Sequence, residues 1–163
     1  MATLTTRDKF LNTAKKILDN HCIYIWGGYG EKVLPMTYQD IAKMETSTAN
    51  TNRVYNRILI EEALGWLTKK TKAFDCSGLV CYCLVKSGRE PSGFRVRADD
   101  LFKRYPKSKV LTEGCLLHRA GHIAIYIGGN FLIEAKGRDD GVTLSHFNYK
   151  EWDYDYPNPW LTK

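Results

Sequence analysis

The stretch from His122 to Lys136 constrains the fold more than any other part of this chain. It alternates apolar and polar side chains with a period of two, interrupted only by Gly128-Gly129-Asn130. That is the pattern of a β-hairpin with one face in a core. Ile123, Ile125 and Ile127 share a face of the first strand, and Phe131, Ile133 and Ala135 share a face of the second. The two sets must coincide, because a slip of one residue would bury Glu134 and Lys136 among isoleucines. The register predicted is therefore Ile127 opposite Phe131, Ile125 opposite Ile133 and Ile123 opposite Ala135. Residues 128–130 form a three-residue loop whose Gly and Asn suit left-handed backbone. On the reverse face His122 lies opposite Lys136 and diagonal to Glu134. Diagonal neighbours are about 7–8 Å apart at the backbone, within reach of these two side chains.

Helical patterns precede the hairpin. Thr6 to Asn20 places Phe10, Leu11, Ala14, Ile17 and Leu18 on one stripe behind a threonine cap. Thr37 with Asp40 three residues later reads as a capping box. Arg53 to Trp66 reads as a further helix, with Tyr55, Ile58, Leu59, Ala63 and Trp66 inward. A fourth helix follows Cys76 and stops at Gly88, ahead of Pro91. Strands are expected at 115–118, 122–127, 131–135 and 142–144. The aromatic tail from Trp152 to Trp160 reads as a strap over the core. Helices first and strands after give an α+β domain with an antiparallel sheet. A chain of 163 residues is sized for one such domain.

The chemistry rests on three side chains. A carboxylate on one nitrogen of an imidazole fixes its tautomer and orientation, leaving the other nitrogen to take a proton. His122 and Glu134 supply that pair. Cys76, at a helix start, is the matching nucleophile, because helix N-termini and a nearby imidazolium lower a thiol pKa. The same residues also fit a small buried thiol and a surface ion pair. The five cysteines, at 22, 76, 81, 83 and 115, are odd in number and irregular in spacing, which argues against a disulfide framework. Cys115 and His118 have chelating spacing, yet no second ligand pair accompanies them, so no metal is expected. The formal net charge is +6. Between Lys86 and Lys109 eight cations stand against three acids, a face that is either a solvated surface or suited to an anionic polymer: nucleic acid, acidic lipid or anionic wall polymer. Nothing accompanies it that reads nucleic acid, and no apolar run is long enough to span a bilayer. The N-terminus lacks the apolar centre of a secretory signal. The expectation is a protein made in the cytoplasm without a signal peptide, which either stays in that cell or leaves it by lysis, holin-type release or injection.

Three segments, in order, resemble the NlpC-type family of cell-wall cysteine peptidases, a papain-like group. They are Tyr24-Ile25-Trp26-Gly27-Gly28, Phe74-Asp75-Cys76-Ser77-Gly78-Leu79-Val80 and Gly121-His122-Ile123-Ala124-Ile125-Tyr126-Ile127-Gly128, followed by Ile133-Glu134-Ala135. The resemblance implies a papain-like fold, with N-terminal helices on a central antiparallel sheet and the nucleophile at a helix start. It implies Cys76 as nucleophile, His122 as base and Glu134 in the orienting position, where many members have His. Tyr24 would act near the oxyanion, and Asp75, Ser77 and Trp26 would bind substrate. No cofactor is needed. The substrate would be a peptidoglycan stem peptide, cut between D-γ-glutamate and the diamino acid. Residues 1–163 would form one such domain with an insertion at about 31–72. That insertion, the Glu, Lys136-Gly137-Arg138 and Asn158-Pro159-Trp160-Leu161 look most like phage and prophage members. Other readings are an injected antibacterial toxin, an acyltransferase, or a non-catalytic wall-binding or tail module.

Overall fold

The structure, a computed structural model, describes residues 3–161. Helix α1 (Thr6–Asp19) starts at a capping box in which Thr5 and Asp8 each accept the other's backbone N–H. Its buried residues are Phe10, Leu11, Ala14 and Ile17, the expected stripe with Leu18 only partly covered. This face packs on α4 (Cys76–Ser87), which ends at Gly88 in the left-handed conformation. Leu79, Val80 and Leu84 then seat α4 on one face of the main sheet, against Ile123, Ile125, Ile133 and Ala135.

That sheet has four antiparallel strands in chain order: β5 (Leu116–Arg119), β6 (His122–Gly128), β7 (Phe131–Gly137) and β8 (Gly141–His146). Ile125 pairs with Ile133, as the alternation requires. The turn is tighter than expected. Gly128, not Ile127, pairs with Phe131, so Ile127 is the extra residue of a β-bulge. The loop is only Gly129-Asn130, both with positive φ, +61° and +66°, the backbone a two-residue hairpin turn demands. The reverse face of the sheet is buried too. Leu117, Ala124, Tyr126 and Leu132 lie under Trp152 and Tyr156 of the C-terminal strap. The α+β architecture expected from the sequence is thus present, with helices on one face of an antiparallel sheet and an aromatic strap on the other.

A second, three-stranded sheet joins β1 (Ile23–Tyr24), β3 (Lys72–Phe74) and β2 (Tyr29–Lys32), in the order β1-β3-β2. Between β2 and β3 the chain folds into α2 (Tyr38–Met44), capped by Thr37 and Asp40 as expected, and α3 (Thr48–Ala63). Ile41, Val54 and Ile58 of these helices form a separate small core with Ile23, Ile25, Val33 and Ala73. The segment between β2 and β3 is therefore packed against the strand that leads into Cys76.

The inward stripe of α3 differs from the one read in the sequence. Thr51, Val54, Ile58 and Glu61 are buried, while Tyr55, Leu59 and Trp66 are exposed. In this rotation Val54 and Ile58 face the small core of Ile23, Ile25 and Ala73, and Arg53 and Arg57 on the polar flank reach Asp139 in the β7–β8 turn. As a consequence the Glu61 carboxylate is fully buried. Its nearest cation, Arg57 Nε, is 3.4 Å away without hydrogen-bond geometry. Burial outweighs Arg57 and pushes the Glu61 carboxyl up to about 7. A raised acid favours folding while it is protonated in the native state, and that contribution is lost as pH rises from the ordinary carboxyl range through 7. Between pH 5 and pH 8 the native protein should lose on the order of 3 kcal/mol from this group. Urea denaturation of Glu61→Gln across that range should lack this component, and equal pH slopes in both proteins would refute it.

Candidate active site

Strand β3 delivers the chain to Asp75, the N-cap of α4. Its carboxylate accepts the Gly78 N–H at 2.6 Å, the Gly27 N–H at 3.0 Å and two hydrogen bonds from Arg95 Nη2 at 2.8 and 2.9 Å. Arg95 Nη1 also donates to Ser77 Oγ at 2.8 Å. In return the Asp75 N–H donates to the Gly28 carbonyl at 3.0 Å. The two loops touch so closely that a Cβ on Gly78 would lie 1.9 Å from the Gly28 oxygen. Asp75 and Ser77 were expected to line the substrate end of the cleft. Both are buried and engaged in these bonds, which hold the helix start against the Tyr24–Gly28 loop.

Cys76, the first residue of α4, is partly exposed. Its Sγ lies 3.8 Å from the Gly121 carbonyl, the residue before His122. Burial pushes the thiol pKa up and the Asp75 charge adds to this, while backbone groups of Ile123 and Ser77 and the Arg95 charge oppose it. The net direction is upward. This corrects the expectation of a depressed thiol: the helix start helps, but burial beside a carboxylate wins.

Across the hairpin, His122 Nε2 and Glu134 Oε1 are 2.9 Å apart, realising the diagonal pair. The imidazole stacks on Trp152 at 5.6 Å between centroids. Burial alone would raise the Glu134 carboxyl, but hydrogen bonds from His122 and Ser145 and the charges of His122 and Arg119 take it below the usual range. With Nε2 engaged by Glu134, Nδ1 is the nitrogen left for a thiol. The resting Sγ contact is with the Gly121 carbonyl, and among the described residues no hydrogen bond joins Sγ to the ring.

The NlpC/P60 family model matches residues 62–160, which include all three of these side chains. This chain belongs to the NlpC/P60 family. The P60 domain of an antigen from M. avium subspecies paratuberculosis superposes with a TM-score of 0.61 at 16% identity, covering 96% of both chains. NlpC2 from Trichomonas vaginalis gives 0.61 at 16% identity, covering 99% of this chain and 50% of that one. The NlpC/P60 domain of the peptidoglycan hydrolase SagA gives 0.53 at 19% identity, covering 93% and 97%. These likenesses establish a shared papain-like fold. No sequence among curated proteins matches the chain.

In this NlpC/P60 domain Tyr24 sits on β1, beside Phe74 of β3. Its phenol is pushed up to about 12, first by burial, then by Cys76 once that thiol ionises and by the Asp75 charge, so it keeps its proton as a donor. Trp26 stands at the rim, 52% exposed. Residues that sequence reasoning did not find brace this corner. Arg138 lies over the Tyr24 ring at 5.4 Å and pairs with Glu45 at 2.8 Å. Glu45, whose side chain is fully buried, also accepts the Trp26 N–H at 3.0 Å. The segment between β2 and β3 thus reaches the loop that carries Tyr24. The positioning role of Glu45 left no local signal, because its partner lies 93 residues away.

A second support lies under the Gly121 turn. His118, considered with Cys115 as a chelating pair, has Nδ1 2.6 Å from Asp153 and Nε2 2.7 Å from Asp99. Asp99 also accepts the Gly121 N–H at 3.1 Å. Cys115 is buried with Leu117 and Trp152 and contacts Thr112. The His118 ring is thus part of a brace for the turn whose carbonyl meets Cys76.

On the other side of Glu134 lies a cavity of about 690 Å³ lined by Arg119, Lys136, Ser145 and His146, among others. The raised thiol has a direct consequence. Iodoacetamide alkylation of Cys76 should be slow at pH 7 and keep rising above pH 9, because the thiolate fraction grows only above the ordinary thiol range. Peptide mapping by mass spectrometry reads the rate at this cysteine, and a plateau below pH 7 would contradict the assignment.

Proposed function

We propose that this protein hydrolyses an amide bond of peptidoglycan stem peptides, the bond between D-γ-glutamate and the diamino acid. Family membership supports cell-wall peptidase chemistry. The observation that carries the site assignment is the 2.9 Å His122–Glu134 bond, with the Cys76 sulfur against the turn that presents His122. Cys76 rests as a thiol. As it attacks the peptide carbonyl, its proton passes to His122 Nδ1, and Glu134 stabilises the imidazolium through Nε2. Tyr24 and the backbone N–H groups at the start of α4 receive the oxyanion. His122 then protonates the leaving amine, and water releases the acyl group. Asp75 and Ser77 act by holding the nucleophile's helix, not by binding substrate. Trp26 provides an exposed aromatic rim for the peptide. Residues 1–163 act as one domain, with 31–72 forming a wall of the cleft, as the Glu45 contact to Trp26 supports. The insertion, Glu134 and Arg138 support a phage or prophage lysin or tail-associated hydrolase.

Purified protein incubated with sacculi should release fragments with new amino termini on the diamino acid, seen by mass spectrometry. Cys76→Ala should remove at least about 10⁴-fold of the rate and Glu134→Gln about 10²–10⁴-fold. Tyr24→Phe should cost about 10–10³-fold in kcat with little change in KM. Amine adducts in place of free acids would identify a transferase. Binding to sacculi without new termini would identify a non-catalytic module.

A further inference from the structure

Half of the cations in segment 86–109 are engaged by acids, and the largest cluster of cations without a carboxylate partner lies mostly outside it. In the segment 86–109, Arg95 pairs with Asp75 and Arg104 with Glu90, Arg89 bonds the Pro159 carbonyl, and Lys109 pairs with Asp155. On the flank formed by α1, β3 and the far end of α4, a cavity of about 720 Å³ is lined by Lys16, Lys32, Lys69, Lys70, Lys72 and Lys86. It runs into a second, of about 380 Å³, that shares Lys16 and Lys86 and adds Lys9 and Lys15. The carboxylate lining both is Asp19. Eight lysines against one aspartate give the trough seven net positive charges, while the whole chain carries +6. The rest of the surface is therefore close to neutral. Among the described residues none of the eight ammonium groups pairs with a carboxylate. Lys72 donates to the Tyr82 hydroxyl at 3.0 Å.

We propose that this trough binds a flexible phosphodiester polyanion, a polyol-phosphate chain of the kind attached to peptidoglycan, and so keeps the enzyme at its substrate. The inference rests on the wall-hydrolase reading above. Two connected cavities suit an extended chain better than a single small anion. Like charges held this close without counter-charges raise the local concentration of such a chain. Single-stranded nucleic acid fits less well, because its binding sites stack bases on open aromatic faces. The trough's aromatic, Tyr82, is already covered, with Lys72 and Lys86 each 5.4 Å from its ring centroid and Phe74 and Tyr29 at its edge. Lys86 is ten residues beyond Cys76 on one helix, about 15 Å along its axis. A polymer in the trough therefore leaves the cleft open.

The test uses the Cys76→Ala protein, so that binding is read apart from cutting. Poly(glycerol phosphate) is titrated by fluorescence anisotropy over a range of salt. Binding should weaken with salt, and Lys16→Glu/Lys69→Glu/Lys86→Glu should weaken it at least tenfold and flatten the salt slope. A charge-matched control, Lys43→Glu/Lys103→Glu/Lys150→Glu, should change it less than threefold. If the reversed variant melts early, the three lysines are changed to Gln and the same order of effects is expected. In the Cys76 background, the trough variant should cleave a soluble stem peptide at the native rate. Loss of that cleavage in the unmodified protein would fail the hydrolase reading alone. No binding, an equal loss in the control, or tighter binding to single-stranded DNA or to anionic vesicles would overturn the polyol-phosphate assignment.

Discussion

The Asp75 carboxylate is the point from which this site is built. It accepts N–H groups from two separate segments, the Gly27 loop and the first turn of α4, and is clamped by Arg95 from a third. A carboxylate with all its lone pairs engaged in a buried corner tolerates little displacement. Cys76 follows it directly, so the sulfur's position is inherited from that network. The same network explains the pairing of the two glycine motifs. Gly28 and Gly78 meet backbone to backbone, and a side chain on either would force the loops apart. What reads in the sequence as a nucleophile motif is thus in large part a packing motif. Its aspartate and serine are conscripted to hold the helix end, and the cysteine alone faces outward.

The imidazole is placed by independent means. Strand register puts His122 diagonal to Glu134, and two-sided burial of the sheet makes that register hard to slip. Ile123 and Ile133 face the α4 core while Ala124 and Leu132 face the strap, so a shift by one residue would misplace both sets. Cys76 and His122 are therefore brought to the same corner by the packing of two units, α4 on the sheet. The Gly121 turn, braced from below by Asp99 and His118, is where they touch.

This division also explains what could be read without coordinates. The His122–Glu134 pair follows from alternation and one registry constraint, both local, and the structure reproduces it with only the turn shortened by a bulge. The helix caps at Thr5, Thr37 and Asp75 are equally local. The inward face of α3 is not. Its apolar residues allow two stripes, and the one used packs Val54 and Ile58 on Ile23, Ile25 and Ala73, residues from outside the helix that its own sequence does not announce. Glu45 and Arg138 join the segment between β2 and β3 to the Tyr24 loop in the same non-local manner. The charge of segment 86–109 was visible as a count, but its partial neutralisation by Asp75 and Asp155, from outside the segment, depends on the tertiary structure. A run of charge in a sequence reports what must be solvated or paired, and only folding decides which.

Burial around Cys76 favours the thiol, and burial around Tyr24 favours the phenol, so both groups hold their protons at rest. Glu134 shows the opposite tendency, kept ionised by His122, Ser145 and Arg119 despite its burial. Fixed negative charge thus sits behind the imidazole, while the groups in front of it are neutral. An imidazolium is stabilised on the side away from the nucleophile, and an oxyanion would form near a neutral donor and the amide groups of a helix start. The low-dielectric setting that raises the thiol also strengthens these interactions once charge develops. A resting thiol is therefore compatible with catalysis here: the site is poised for proton transfer during attack, without a preformed thiolate.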